Sequence, residues 1–231
     1  MSESDATEPI TPISVHTREL GIAGPAGAAF GPLFLDFSPG VINVIQGPAG
    51  SGRTSLLLTL AGRFRPVSGS LDVLGRRTPA SIRQVTAVAG FEGIDDLDDN
   101  VIVRDVITEQ IAWETPWYKF VRRADATRFE AMCRPVFGPL PLPPLHAHLD
   151  ELTELDRLLL KVSLVWSGGP AVLLVDDIEQ VRAHAERSAL LDRLADLALE
   201  ATVIVSAIDP LAPQSPPHRY AILTETTEGE V

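Results

Sequence analysis

The chain has 231 residues, 45% of them hydrophobic, with 31 acidic against 19 basic side chains and a formal charge of −12. That length suits one generous domain, or one core with a subdomain. The charge excludes a general binder of polyphosphate backbones, which needs clustered Lys and Arg, and disfavours direct attraction to anionic lipid headgroups. The single cysteine, Cys133, excludes an internal disulfide, so a reducing interior is expected.

Met1 to Pro9 is polar and acidic, without the positive start and apolar core of a signal peptide. No apolar run approaches the ~20 residues of a membrane-spanning helix. The expectation is a soluble cytoplasmic chain that meets a membrane through a partner. Residues 1–12 read as a disordered tail, 13–224 as one domain, and 225–231 as an acidic tail. Ile13 to Phe37 is strand-like but broken by glycine and proline, and Leu33 to Phe37 alternates like a half-buried strand. After the turn at Pro39-Gly40, Val41 to Ile45 is a β-branched run that predicts a buried strand. A glycine-rich loop follows, then leucines at helical density over Thr54 to Arg63, and strands at Ser70 to Leu74 and Val85 to Ala89.

Residues 95–166 hold all three tryptophans and both lysines and predict an inserted helical subdomain. Pro135 to Pro144 cannot be continuous helix or central strand, because proline lacks the amide donor and fixes φ, and is expected as a structured loop. Beyond it come a buried strand (Ala171 to Val175), an amphipathic helix (Val181 to Glu200), a strand (Thr202 to Ser206) and an edge strand (Tyr220 to Thr224). Alternating strands and helices predict an α/β fold, a mainly parallel sheet flanked by helices.

The motif that carries chemistry is Gly47-Pro48-Ala49-Gly50-Ser51-Gly52-Arg53-Thr54-Ser55, between an apolar strand and a leucine-rich helix. Glycines let the backbone curl so that successive amides converge on an anion, and the following helix adds its positive end. This is a phosphate-binding loop in its proper context, with Thr54 offering a hydroxyl to Mg²⁺ and Arg53 standing where the loop lysine belongs. The second element is Asp176-Asp177, at the end of the strand Ala171 to Val175. A parallel strand delivers Asp176 to where phosphate-bound Mg²⁺ sits, and Asp177 to where it can orient attacking water. Either aspartate could instead cap the next turn.

These segments, with Phe37-Ser38-Pro39-Gly40-Val41 before the loop and Pro66-Val67-Ser68-Gly69-Ser70 and Leu74-Gly75-Arg76 after it, resemble the nucleotide-binding domain of ATP-binding-cassette (ABC) transporters. The resemblance runs from Ile13 to Ile208. It implies a P-loop NTPase fold with an antiparallel β part near the N-terminus, ATP and Mg²⁺ as cofactors, Gly47 to Ser55 on the nucleotide, Thr54 and Asp176 on the metal, and Asp177 as the catalytic carboxylate. The implied partners are an integral membrane permease-type protein and a second ABC ATP-binding domain, as homo- or heterodimer. The chain would then be peripheral on the inner face of a membrane.

Several positions depart from the family's pattern. Gly90 replaces the metal-contacting glutamine, Leu152-Thr153-Glu154-Leu155-Asp156 replaces the Leu-Ser-Gly-Gly-Gln signature, Ala207 replaces the switch histidine, and Asp177 is one methylene shorter than the catalytic glutamate. Phe30 is the only aromatic near the place of the adenine-stacking tyrosine. Losing a well-placed catalytic group costs about 10²–10⁴-fold, so binding with slow or absent turnover is expected. Slow hydrolysis coupled to transport and non-hydrolytic nucleotide sensing both stay open. No kinase or GTPase motif is present.

Trp113, Trp117, Tyr118 and Phe120 predict either a partner-docking groove or the core of the helical subdomain. The acidic run Glu92, Asp95, Asp96, Asp98 and Asp99 reads as a solvated loop. Arg122-Arg123 reads as a source of surface ion pairs. Neither His146 with His148 nor Cys133 has the companions of a metal or nucleophile site.

Overall fold

The computed structural model describes residues 13–23 and 29–223. Both expected tails lie outside the described residues, as does the side chain of Phe30. The first part is an antiparallel sheet: β1 (Val15–Ala23) pairs with β2 (Ala29–Leu33), β3 (Asp36–Phe37) and β5 (Ser68–Val73). The strand expected over Leu33 to Phe37 comes as two pieces that follow the same partner β1, joined at Leu35, whose carbonyl accepts from the Thr17 amide at 2.9 Å and whose amide donates to the Thr17 hydroxyl.

The second sheet is wholly parallel. It comprises β4 (Ile42–Gln46), β6 (Thr86–Ala89), β7 (Val172–Val175), β8 (Thr202–Ala207) and β9 (His218–Ile222), in the order β6-β7-β8-β4-β9. Alternate residues of its strands serve two cores. Val44, Leu173, Val203 and Val205 face one side, where they meet α3 (Val103–Glu114), α4 (Ala126–Phe137), α5 (Glu154–Trp166) and α6 (His184–Ala198). Ile45, Leu174 and Ile204 face the other, against α1 (Arg53–Leu60), α2 (Pro79–Arg83) and the antiparallel sheet. A strand buried on both faces reads as a continuous apolar run, which is why these four- to six-residue stretches stand out in the sequence.

The proline-rich stretch is not continuous helix: Pro135 lies in the last turn of α4, which ends at Phe137, and residues up to Pro144 are irregular. The acidic run is not simply solvated: Asp95 and Asp96 pair with the buried Lys161 of α5 at 3.3 and 3.7 Å, and Asp99 pairs with Arg157 at 2.7 Å. These carboxylates fasten the segment after β6 to α5. Arg123 does make a surface ion pair, 2.6 Å from Asp105. No helix among the described residues is long and apolar enough to cross a membrane.

Candidate functional site

The strand order brings two sequence-distant ends together. β8 lies between β7 and β4, and the C-terminal ends of all three open on one crevice, where open α/β sheets place their ligands. From β4 the chain enters the loop Gly47–Gly52. Gly50 and Gly52 have φ of 82° and 83°, the left-handed region that glycine adopts without strain. Gly52 is the N-cap of α1, and no side chain caps that helix. The first turn of α1 therefore presents its amides and its positive dipole end to the crevice. Ser51 Oγ is buried there without a hydrogen-bond partner. The Arg53 guanidinium folds back to donate to the carbonyl of Gly47, so an incoming phosphate competes with the loop's own carbonyl for that charge.

Across β8, Thr54 Oγ1 donates to Asp176 Oδ2 at 2.6 Å, although the two residues are 122 apart in sequence. Ser206, from β8 itself, donates to the other oxygen, Asp176 Oδ1, while its Oγ accepts from the amide of Asp177 at 2.8 Å. Asp176 is thus 6% exposed with both carboxylate oxygens engaged, and it caps no turn. Asp177 takes φ 49°, rare for a residue with a side chain. It stands at the N-cap of a 3₁₀ turn (Ile178–Gln180), yet its side chain makes no cap bond and Oδ1 is buried without a partner. Both capping alternatives therefore lose their support.

Arg53, Thr54, Asp176 and Asp177 line a cleft of about 510 Å³ whose other walls are Gly90, Glu92, Asp96, Arg157, Lys161 and Gln180. Gly90 has φ 80°, and a Cβ there would lie 2.8 Å from the carbonyl oxygen of Asp176 and from Gln180 Nε2. Gln180 Nε2 donates to the carbonyls of Asp176 and Asp177, both at 2.9 Å. A side-chain amide does reach the Gly90 neighbourhood, but it comes from the turn after β7 and is spent on backbone. Glu179 accepts from the amides of Ile208 and Asp209 at 2.8 and 3.3 Å, just beyond Ala207. Burial pushes its carboxyl above the usual range, and the neighbouring Asp177 adds to the rise, while the two amides oppose it.

Leu152 to Asp156 does not line this cleft. Thr153 is the N-cap of α5 and accepts from the Asp156 amide at 3.1 Å, Glu154 accepts from the Arg182 amide at 2.7 Å, and Leu155 is buried. Cys133 is also buried, which pushes its thiol up to about 12 and leaves no thiolate to react.

The residues read from sequence as phosphate loop, Thr54 and Asp176-Asp177 all meet in one crevice. Sequence reasoning missed Ser206, Glu179 and Gln180. Only Ser206 left a signal, as the one hydroxyl closing the apolar run Val203-Ile204-Val205.

No protein-family model matches the chain. A Streptomyces coelicolor protein named as an ABC transporter ATP-binding protein is 28% identical over 227 residues, 96% of this chain and 38% of that protein. A solved inward-facing ABC transporter of metal-chelate type superposes with a TM-score of 0.71 at 17% identity, covering 92% of this chain and 80% of that one. The chain has the fold of ABC nucleotide-binding domains. A shorter stretch of 72 residues is 42% identical to a cytochrome c biogenesis ATP-binding export protein of Cupriavidus pinatubonensis, covering 28% of this chain and 32% of that protein. The chain thus spans about a third of the length of the first curated relatives it matches.

The cleft fits a metal held jointly with a nucleotide. Among the described residues no group of three or more His, Cys, Asp or Glu gathers to hold a metal alone. A hydroxyl and a carboxylate 2.6 Å apart supply two oxygen donors, the share a protein contributes to Mg²⁺ when phosphates and water complete the shell.

Proposed function

We propose that the chain binds Mg-ATP and works as the ATP-binding subunit of a membrane transport partner of permease type, with turnover slow or absent. The observation that carries this reading is the Thr54–Asp176 hydrogen bond beneath a phosphate loop whose helix has no side-chain cap. The loop amides and the first turn of α1 hold the phosphates, and Arg53 swings from the Gly47 carbonyl to them. Thr54 and Asp176 hold Mg²⁺, which when bound offsets phosphate charge. Ser206 keeps Asp176 aimed at the cleft. Asp177, beside the buried Glu179 carboxyl, orients water.

Turnover is the weak step. Gly90 offers no amide side chain, Ala207 no imidazole, and Leu152 to Asp156 no open glycine amides for the nucleotide of a second subunit. A heterodimer with a more complete ABC domain would tolerate this end, while a homodimer would carry two impaired sites. Mg-ATP should raise the melting temperature, as any ligand selective for the folded state does. If the chain is catalytic, Asp177→Asn lowers phosphate release, whereas equal background rates with intact ATP binding leave the sensing role. No thermal shift with Mg-ATP removes both.

A further inference from the structure

The chain's overall charge argues against lipid, but one segment reverses that balance. Between α3 and α4 the sequence Thr115-Pro116-Trp117-Tyr118-Lys119-Phe120-Val121-Arg122-Arg123-Ala124 carries three basic residues and no acidic one. The core alternative for its aromatics fails: Trp117 is 96% exposed, Phe120 90% and Tyr118 69%, and Trp113 at the end of α3 is 80% exposed.

Both feet of this loop are fixed. At the α3 end the Thr115 hydroxyl donates to the Ile111 carbonyl at 2.6 Å, and at the α4 end the Ala124 amide donates to Thr108 Oγ1 at 2.9 Å. At the tip the Lys119 amide closes a turn on the Pro116 carbonyl at 2.9 Å, and Trp117 meets Tyr118 edge-to-face at 6.0 Å. The result is a convex, anchored tip of large aromatics. Arg123 is neutralised by Asp105, whereas Lys119 and Arg122 have no ion-pair partner among the described residues.

Exposing so much aromatic surface costs free energy unless something covers it. Trp and Tyr favour the bilayer interface, where a ring can be buried while its polar atom stays wet. Lysine and arginine beside them complement anionic headgroups. Acidic residues flank the segment, but Glu114 accepts from Ser167, Asp125 caps α4 and Asp105 pairs with Arg123, and screening over about 8 Å at physiological salt mutes the acids beyond them. We propose that the Trp117–Arg122 tip contacts the membrane directly, seating its aromatics among anionic lipid headgroups. This contact would supplement any hold through a protein partner, and it is independent of the nucleotide cleft.

The test is co-sedimentation of the full chain with vesicles of phosphatidylcholine alone or mixed with phosphatidylglycerol, read together with tryptophan emission and quenching by brominated lipid. The mixed vesicles should bind the chain, shift its emission to the blue and expose it to quenching, and added salt should weaken binding. The double variant Trp117→Ala with Phe120→Ala should bind roughly tenfold more weakly. Lys119→Gln with Arg122→Gln should lose a comparable factor while keeping the aromatics. All four side chains are exposed, so unchanged melting temperatures check that the fold is intact. No partition of the wild-type chain, equal binding by either variant, or equal binding to uncharged vesicles overturns the proposal. So does recruitment only to vesicles that contain a membrane protein, which would make the tip a protein contact.

Discussion

Two helix N-termini in this molecule look alike as backbone and opposite as chemistry. At α1 the cap is a left-handed glycine, no side chain satisfies the first amides, and no acidic residue stands in the first turn. At α5 the Thr153 hydroxyl caps the helix, and Glu154 and Asp156 bring two carboxylates into the first turn. The first end lacks an anion and the second supplies its own. A helix terminus has a limited demand for negative charge, and a terminus that meets it internally has little left for a phosphate. The ABC pattern expects both ends to serve nucleotide, one in each subunit. Here the α1 end has no side-chain cap, whereas the α5 end is already served by Thr153 and its own carboxylates.

The largest expected effect comes from forcing the α5 end to resemble the family's glycine-rich signature. Glu154→Gly with Leu155→Gly removes a buried leucine and the acceptor of the Arg182 amide. Truncating a buried leucine costs about 2–5 kcal/mol, and each helical glycine about 1 kcal/mol more. Urea unfolding should show a loss of about 4 kcal/mol, with no gain in phosphate release. A variant as stable as wild type would mean that Leu155 does little for the packing of α5, and the contrast between the termini would weaken.

The converse exchange puts an acid at the α1 end. Gly52→Asp places a carboxylate where phosphate is expected, at a φ of 83° that aspartate tolerates better than most residues. Mg-ATP binding, measured by calorimetry, should weaken at least ~10-fold from like-charge repulsion, while the melting temperature changes little. Undiminished affinity would place the nucleotide elsewhere.

The contrast also explains what could be read from the chain alone. The phosphate loop and the Asp176 strand are local signals: glycines at fixed spacing, an apolar run, a carboxylate at its end. The β8 strand that joins them was visible as a strand, but its place between β7 and β4 is a long-range fact. Ser206, which spans Asp176 and the Asp177 amide, therefore looked like an ordinary strand residue. Glu179 and Gln180 were hidden for the same reason, since their partners Ile208 and Gly90 lie 29 and 90 residues away. The acidic run was misjudged because its partners, Arg157 and Lys161, sit on a helix about 60 residues further on.

A third pair of amides, those of Ile208 and Asp209, tests the same principle on a smaller scale. Like the α5 end it is served by an internal acid, Glu179, but this carboxyl is buried beside Asp177, and each keeps an oxygen without a partner. Its folded-state pKa is raised, so the native chain holds a proton that the unfolded chain gives up sooner. Stability from this group is full below the unfolded carboxyl value and falls as pH rises through the higher folded value. Glu179→Gln keeps an oxygen for the two amides and turns the second polar atom into a donor toward Asp177. The variant should melt about 2 °C above wild type at pH 8, with the gain vanishing near pH 4. A loss confined to pH 8 would show that the carboxylate's charge serves the two amides better than a neutral oxygen does. Glu179 would then match the acids of α5 in holding its amides at no electrostatic penalty.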